Sequence, residues 1–564
     1  MKKKLQILLL GILLISVNLG FSQSNLLNQS VTYEELMQGY KQLAANYNTC
    51  DLVSFGQTDS GKPLHLFLIN KSQEFYPEAI HQKVVLLVQN GIHAGEPCGI
   101  DASLEWATEM ISTHQIPDNV VIAIIPVYNI GGMLNRGCCS RANQNGPEAH
   151  GFRGNARNLD LNRDYIKNDS KNAFAFARLF HWLQPELFID THTSNGADYQ
   201  YTMTLISPRK EKLDAHLSGY LVNKLEPYLY ANYDSLTPYV NVWGTTPNHG
   251  IKSFNDLSRY STGYVGLFNC IGFTTESHMW KTFNARKTHT RKFLELLTGF
   301  ADTNFVELME NKRICDAENP MSFEALNLEI DTTVFDSITF LSYQPTYAYS
   351  EILGRKQLYY NRSKPESIKI PYFNYFNKID EVKVPDYYVI RSAWKEVVSR
   401  LRANQIAMIR LNHDSTITGL TSYIKHYKSG TQPYEGHYLH KEIEVVDSLV
   451  DMSFYEGDFM VSTHQKGWKY ILNVLEAKSE DSFFAWNFYD EILQQKEWYS
   501  AYIFESYAVQ MLEADPVLRM EYDRKMETNK SFAASGDARL LWLYRKSPFY
   551  ESNHNRLPIL KIFE

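Results

Sequence analysis

The segment KVVLLVQN, Lys83–Asn90, is apolar on both sides of a strand's alternation, which predicts a strand buried in a sheet covered on both faces. NVVIAIIPVYN (119–129) has the same texture, and LHLFLIN (64–70), PELFIDTHT (185–193) and CIGFTTES (270–277) read as further strands. Between them lie predicted helices. YEELMQGYKQLAANYN (33–48) is amphipathic, and PCGIDASLEWATEMIS (97–112) has Pro97 in its first turn, where proline is well tolerated. NAFAFARLFHWL (172–183) and RKTHTRKFLELLTGFADTN (286–304) complete the set. Strand and helix alternate, so residues 24–305 are predicted to form an α/β domain, a mixed, largely parallel sheet with helices on both faces.

The remainder, 306–564, has a different texture and is read as an accessory region of mixed α and β content. It opens with the strand-like, tyrosine-rich DSITFLSYQPTYAYS (336–350), followed by SKPESIKIPYF (363–373), read as a loop. DYYVIRSAWKEVVSRLRANQIAMIRL (386–411) reads strand, helix, strand, and the aromatic run SFFAWNFYDEIL (482–493) reads as a packed helix. No repeat and no low-complexity linker marks the boundary. STHQKGWKY (462–470) suggests no function.

At 564 residues the chain is too long for one ordinary core. Its 44% hydrophobic and 21% charged residues are those of a globular protein, and 37 tyrosines suit surfaces that are half apolar and half hydrogen-bonding. The first residues, MKKKLQILLLGILLISVNLGFSQSN, set three lysines before an apolar run of roughly 15 residues. Gly20, Phe21 and Ser22 follow, so residues 1–22 are predicted to be a secretory signal cut after Ser22. The alternative, a membrane anchor, is disfavoured because the run is short for a bilayer core of roughly 30 Å. The expectation is therefore an exported protein, periplasmic or secreted, with no membrane insertion once the signal is removed. Loss of Lys2, Lys3 and Lys4 leaves 53 basic against 63 acidic residues, a formal charge of −10, and no basic cluster invites nucleic acid. The six cysteines allow 15 pairings among which sequence cannot choose. Adjacent Cys138 and Cys139 are the odd feature, since neighbouring cysteines rarely bond each other.

Candidate chemistry gathers at strand ends. His93 and Glu96 lie just past the strand at 83–90, His192 lies at the end of ELFID, and Glu276 at the end of IGFTT. In α/β sheets ligands bind outside the carboxyl ends of the strands. Two imidazoles and one carboxylate are a common ligand set for catalytic zinc, although His-x-x-Glu alone reads more readily as a surface pair, and DTHT at a strand end evens the two readings. In GFRGNARNLDLNRDY (151–165), Asn162 and Arg163 set an amide beside a guanidinium, a pair suited to a ligand carboxylate, with Arg153 a second cation in the same loop. Asp160 could fix the tautomer of a ligand histidine.

In this order HAGE (93–96), NLDLNRDY (158–165), DTHT (190–193) and TTES (274–277) resemble the zinc carboxypeptidase family M14, over about residues 30–300. The resemblance implies a carboxypeptidase-like fold and one Zn²⁺ per chain held by His93, Glu96 and His192. It further implies Glu276 as general base and acid, Arg153 as the group that polarises the scissile carbonyl, and Asp160 as partner of the first zinc histidine. Asn162 and Arg163 match the pair that holds a peptide's free C-terminal carboxylate.

The chain departs from the pattern in three places. Gly95 stands where many carboxypeptidases carry arginine or another larger residue, so one substrate contact is expected to be missing. The tyrosine that caps the bound carboxylate has no clear match, with Tyr260 and Tyr264 as candidates and Tyr260 preferred. Arg259 nearby suggests preference for an acidic terminal side chain. His278 is read as a packing or hydrogen-bonding histidine, and His437 and His440 lack an evident third metal ligand. Two other readings stay open: a zinc amidohydrolase acting on cell-wall peptides or acylated amino acids, and a pseudo-enzyme that binds a peptide terminus without cutting. Retention of Glu276, Arg153 and the three ligands argues against the second, since mere binding can dispense with them.

Overall fold

A computed structural model describes residues 28–564, and the expected signal at 1–22 lies outside them. The first half is built on eight strands: β1 (Cys50–Gln57), β2 (Pro63–Ile69), β3 (Val84–Asn90), β4 (Val120–Ile125), β5 (Leu187–Ser194), β6 (Met203–Ile206), β7 (Leu236–Pro238) and β8 (Ile271–His278). Their order across the sheet is β1-β2-β4-β3-β5-β8-β6-β7. The central β4, β3, β5 and β8 run parallel, while β1, β2 and β6 pair antiparallel with neighbours. The carboxyl ends of β3, β5 and β8 therefore emerge along one edge of the sheet.

Every residue of β3 is buried, and its alternation divides two cores. Val84, Leu86 and Val88 join the core containing helices α1 (Tyr33–Asn46), α2 (Cys98–Ser112) and α4 (Phe283–Thr303). Val85 and Leu87 face the core containing α3 (Lys171–Leu183). Each such side chain contributes roughly 1.5–3 kcal/mol by leaving water. Thr32 and Glu35 cap the start of α1 reciprocally, and the Ser170 hydroxyl accepts from the Ala173 N–H at the start of α3.

The second half does not stand apart from this arrangement. Tyr388, Ile390, Leu401, Tyr470, Ile471 and Trp486 enter the same core as Phe176, Phe180, Tyr264 and Phe268. The strand–helix–strand reading of 386–411 holds, as Tyr387–Ile390, Lys395–Ala403 and the short Ile409–Arg410. Two expectations fail. SKPESIKIPYF is not a loop but part of the long strand Arg355–Phe373, paired antiparallel with Asp336–Ser350. Over most of its length that strand has a neighbour on one side only, and Pro365 lies beside a shift in register, where a missing N–H does little harm. The run 482–493 is a series of turns closed by a short 3₁₀ segment at Asp490–Leu493 rather than a helix. Ser482 bonds local backbone on both sides, and Asn487 adopts φ +67°, which stops any helix there. Phe483, Phe484 and Trp486 are nevertheless fully buried. Among the described residues no helix is long and apolar enough to cross a membrane.

Candidate metal centre and substrate pocket

At the end of β3 the chain turns sharply. Gly91 takes φ +62°, in a region glycine enters freely, and Glu96 N–H closes a turn onto the His93 carbonyl at 2.9 Å. Both side chains thereby face one point, and α2 begins directly after them. His192 reaches the same point from β5. Its Nδ1 lies 3.1 Å from Glu96 Oε2, and His93 Nδ1 lies 3.2 Å from Glu96 Oε1. All three residues are about 97% buried, and their ligand atoms lie within 4.8 Å of one another.

Each imidazole turns its other nitrogen to a carboxylate. His93 Nε2 is 2.9 Å from Asp160 Oδ1, and His192 Nε2 is 3.1 Å from Asp190 Oδ2. This arrangement leaves both Nδ1 atoms for a metal and raises their basicity. Burial works against a charged His192, yet Asp190 and Glu96 hold it well above its ordinary pKa. Burial raises Asp160, but His93, Arg153 and Arg163 outweigh it and hold the carboxyl well below its ordinary range. The clustered N,N,O donor set, with both Nδ1 atoms turned inward, suits zinc.

Asp190 was legible in principle: it stands two residues before His192 on a strand, so both side chains share a face. Arg141 had no such signal. It comes from the loop after β4, and its Nη1 donates to Glu96 Oε1 at 2.8 Å. A Cβ at position 95 would come within 2.9 Å of Arg141 Cδ and 3.0 Å of the Gly151 carbonyl. The glycine at 95 thus leaves the space that the Arg141 side chain occupies. Two and three residues before Arg141, Cys139 and Cys138 are bonded to each other, against expectation, while Cys50, Cys98, Cys270 and Cys315 are free and buried.

A cavity of about 160 Å³ opens on the donor cluster, walled in part by Arg153, Asn162, Arg163, Tyr260 and Glu276. Glu276 on β8 is the register partner of His192 on β5, so the two project from the same face. Burial and the nearby Glu96 push Glu276 up to about 7, against the pull of His192, Arg141 and Arg153. Arg153 donates to Asp160 through Nε and Nη2 at 3.0 and 2.8 Å, and its Nη1 lies 3.3 Å from His93 Nδ1. Asn162 and Arg163 sit on one 3₁₀ turn, with the Asn162 Oδ1 accepting from Ser261 N–H at 3.4 Å. The Arg163 guanidinium lies over the Tyr260 ring at 4.6 Å. Its Nη1 donates to the Asn162 carbonyl at 2.7 Å and its Nε to the Tyr434 hydroxyl at 3.0 Å.

Tyr434 was invisible to local sequence reasoning because it belongs to the distant half. Its neighbour Glu435 accepts from Asp160 N–H at 2.7 Å, and His437 lies 2.7 Å from Asp169 Oδ2. One loop of the second half therefore grips the segment 160–169 at three points. His440 is bonded to Asp490 and Ser429, and His278 to Asp198. Tyr264 is no cap: it is fully buried, and its hydroxyl donates to Asn404 at 2.6 Å. Arg259 corrects a second expectation. Its backbone N–H and Nε both donate to Asp481 at 2.8 Å, its guanidinium stacks on Trp486 at 5.0 Å, and it is not on the cavity wall. A carboxylate of the protein already satisfies it, so it selects no substrate charge.

Residues 36–264 match the zinc carboxypeptidase family, Peptidase_M14. Solved structures similar to the chain include a metallo-carboxypeptidase from Burkholderia cenocepacia, at 14% identity over 49% of this chain and 70% of that one, with a TM-score of 0.35. A metallo-carboxypeptidase from Pseudomonas aeruginosa, in complex with (2-guanidinoethylmercapto)succinic acid, is 15% identical over 50% and 70%, with a TM-score of 0.36. Carboxypeptidase A from Helicoverpa armigera is 14% identical over 49% and 75%, with a TM-score of 0.35. No curated protein matches the chain.

Proposed function

We propose, from the match of residues 36–264 to the zinc carboxypeptidase family, that this chain is a zinc metallopeptidase that removes the C-terminal residue of peptides outside the cytoplasm. The observation that carries the reading is the joining of a buried His93–Glu96–His192 donor set to Glu276, Asn162 and Arg163 in one cavity. Zinc held by that set supplies Lewis acidity, which makes water a competent nucleophile near neutral pH.

The chain's own groups account for the remaining work. Arg163 keeps Nη2 without a partner among the described residues, available to a terminal carboxylate beside the Asn162 amide. Tyr260 stacks beneath that guanidinium and limits its motion. The substrate's last carbonyl then lies between this anchor and the donor cluster, where the half-exposed Arg153 faces the charge that develops on oxygen. Glu276 takes the proton of the attacking water and returns it to the leaving amine. Asp160 and Asp190 hold the two imidazoles in one tautomer.

Beyond this machinery the cavity wall includes Ile206, Tyr239, Phe254, Thr262 and Thr274, none of them charged. The terminal side chain is accordingly neutral, aliphatic or aromatic, and not acidic. The lysine-led apolar start supports export. Paired peptides that differ only in a free or amidated C-terminus test the reading. Release of the last residue from the free acid alone supports it. Equal hydrolysis of both removes the role of Asn162 and Arg163 as a carboxylate anchor and overturns the reading.

A further inference from the structure

A second cavity, of about 470 Å³, lies between the edge of the main sheet and the long hairpin of the second half. Arg209, just after β6, lines it and is only 6% exposed. Its polar contacts are sparse. Nη1 makes one long hydrogen bond, 3.4 Å, to the Asn374 carbonyl, and Nε has no partner. The guanidinium lies over the Phe376 ring at 5.1 Å, and among the described residues no carboxylate forms an ion pair with it. Arg259 and Arg400 are instead paired, with Asp481 and with Asp169 and Glu396, and the fully buried Arg286, which among the described residues also lacks a carboxylate partner, spends its guanidinium on four backbone carbonyls. Glu226 on the same wall feels the Arg209 charge but makes no direct ion pair with it, and a buried guanidinium with an unpartnered Nε beside an open cavity has room for an anion there.

The lining defines that anion. Lys210 is the other cation, 4.7 Å from the Tyr375 ring centroid, and Glu226 and Asp336 are the carboxylates. Asp336 is already occupied, accepting from Asn374 Nδ2 at 2.9 Å and the Tyr375 hydroxyl at 3.0 Å. The wall has no surplus positive charge to hold a dianion such as phosphate, whereas the unpartnered Nε of Arg209 offers a fork to one carboxylate. Tyr201, Tyr230 and Tyr372 supply broad half-apolar walls, and the volume is that of a small-molecule site. We propose that this cavity is a binding site, separate from the catalytic cavity, for a small organic monocarboxylate that places its carboxylate on Arg209 and its apolar body against the tyrosines.

Phenylacetate is the probe. Titrated calorimetrically into the zinc-loaded full chain carrying Arg163→Ala, which silences the carboxylate anchor of the catalytic cavity, it binds with one equivalent. Uncharged phenethyl alcohol and inorganic phosphate bind at least tenfold more weakly. Adding Arg209→Met lowers phenylacetate affinity at least tenfold. Should that variant not fold, Arg209→Lys, which keeps the charge without the planar fork, gives a weaker but measurable site. Absence of phenylacetate binding to the Arg163→Ala chain overturns the proposal. So does affinity undiminished by either Arg209 substitution, or equal affinity for the alcohol or phosphate.

Discussion

His192 and Glu276 stand opposite each other in register on parallel neighbouring strands, their side chains on the same face of the sheet. One residue offers a metal ligand and the other a carboxylate that burial and Glu96 push up to about 7. Replacement of Glu276 by Gln keeps the shape and removes the base. It is expected to lower kcat by about 10²–10⁴-fold, the usual contribution of a positioned acid–base group, while leaving zinc content unchanged. Zinc content that falls with activity would instead make Glu276 a ligand.

The same residue sets a pH dependence. Only the ionised carboxylate accepts the water's proton, so activity falls as pH drops through its pKa. A bound zinc ion favours the ionised form and lowers that pKa from its metal-free position near 7. The acid limb of kcat/KM therefore lies below pH 7. An acid limb above pH 7 in the zinc-loaded enzyme contradicts the assignment.

The carboxylates behind the imidazoles are expected to tune the metal. Asp160→Asn and Asp190→Asn should each weaken zinc binding by roughly 10–100-fold, read by competition with a chelator. Unchanged zinc affinity in both would reduce their contacts with His93 and His192 to packing.

Tyr434 carries a contact from the second half to Arg163, the proposed carboxylate anchor. Its hydroxyl accepts from Arg163, but the residue is 37% exposed, so the bond is worth less than a buried one to a charged group. Tyr434→Phe is expected to raise KM by about three- to tenfold with kcat nearly unchanged. An equal fall in kcat at constant KM would point to a role in the chemical step.

Glu186 provides a stability test remote from the site. Val85 N–H donates to its Oε2 at 2.7 Å, and burial is the main cause that raises its pKa from 4.5 to about 7. The folded state thus holds a proton that the unfolded state has released. The stability this contributes is full below about pH 4.5 and is lost as pH rises through 7. Glu186→Gln should accordingly raise Tm at pH 8 by a few degrees and leave it nearly unchanged at pH 5. A Tm gain larger at pH 5 reverses the sign and refutes the account.

Much of this site is legible in the sequence. The strands before His93, His192 and Glu276 were visible because both-sided apolar runs have few alternatives, and parallel order follows from alternation with helices. What stayed hidden came from distant chain. Arg141 fills the space left by Gly95, and Tyr434 and Glu435 arrive from a loop more than 250 residues downstream of Arg163. No local pattern encodes such meetings. Arg259 misled for the same reason, since its partner Asp481 lies 222 residues away. The aromatic run at 482–493 misled differently: burial on all sides looks like a helix in composition, while the serine bonds and left-handed Asn487 that prevent one act at single positions.

The most direct test of the central claim is mass spectrometry of a defined peptide mixture incubated with the zinc-loaded protein, with Glu276→Gln beside it. The account predicts loss of single C-terminal residues, neutral ones at least about tenfold faster than Glu or Asp because the uncharged wall offers a buried charge no partner. The Glu276→Gln chain should leave the mixture nearly intact. Internal cleavage, equal activity in the Glu276→Gln chain, or no cleavage by a protein that holds its zinc would contradict it.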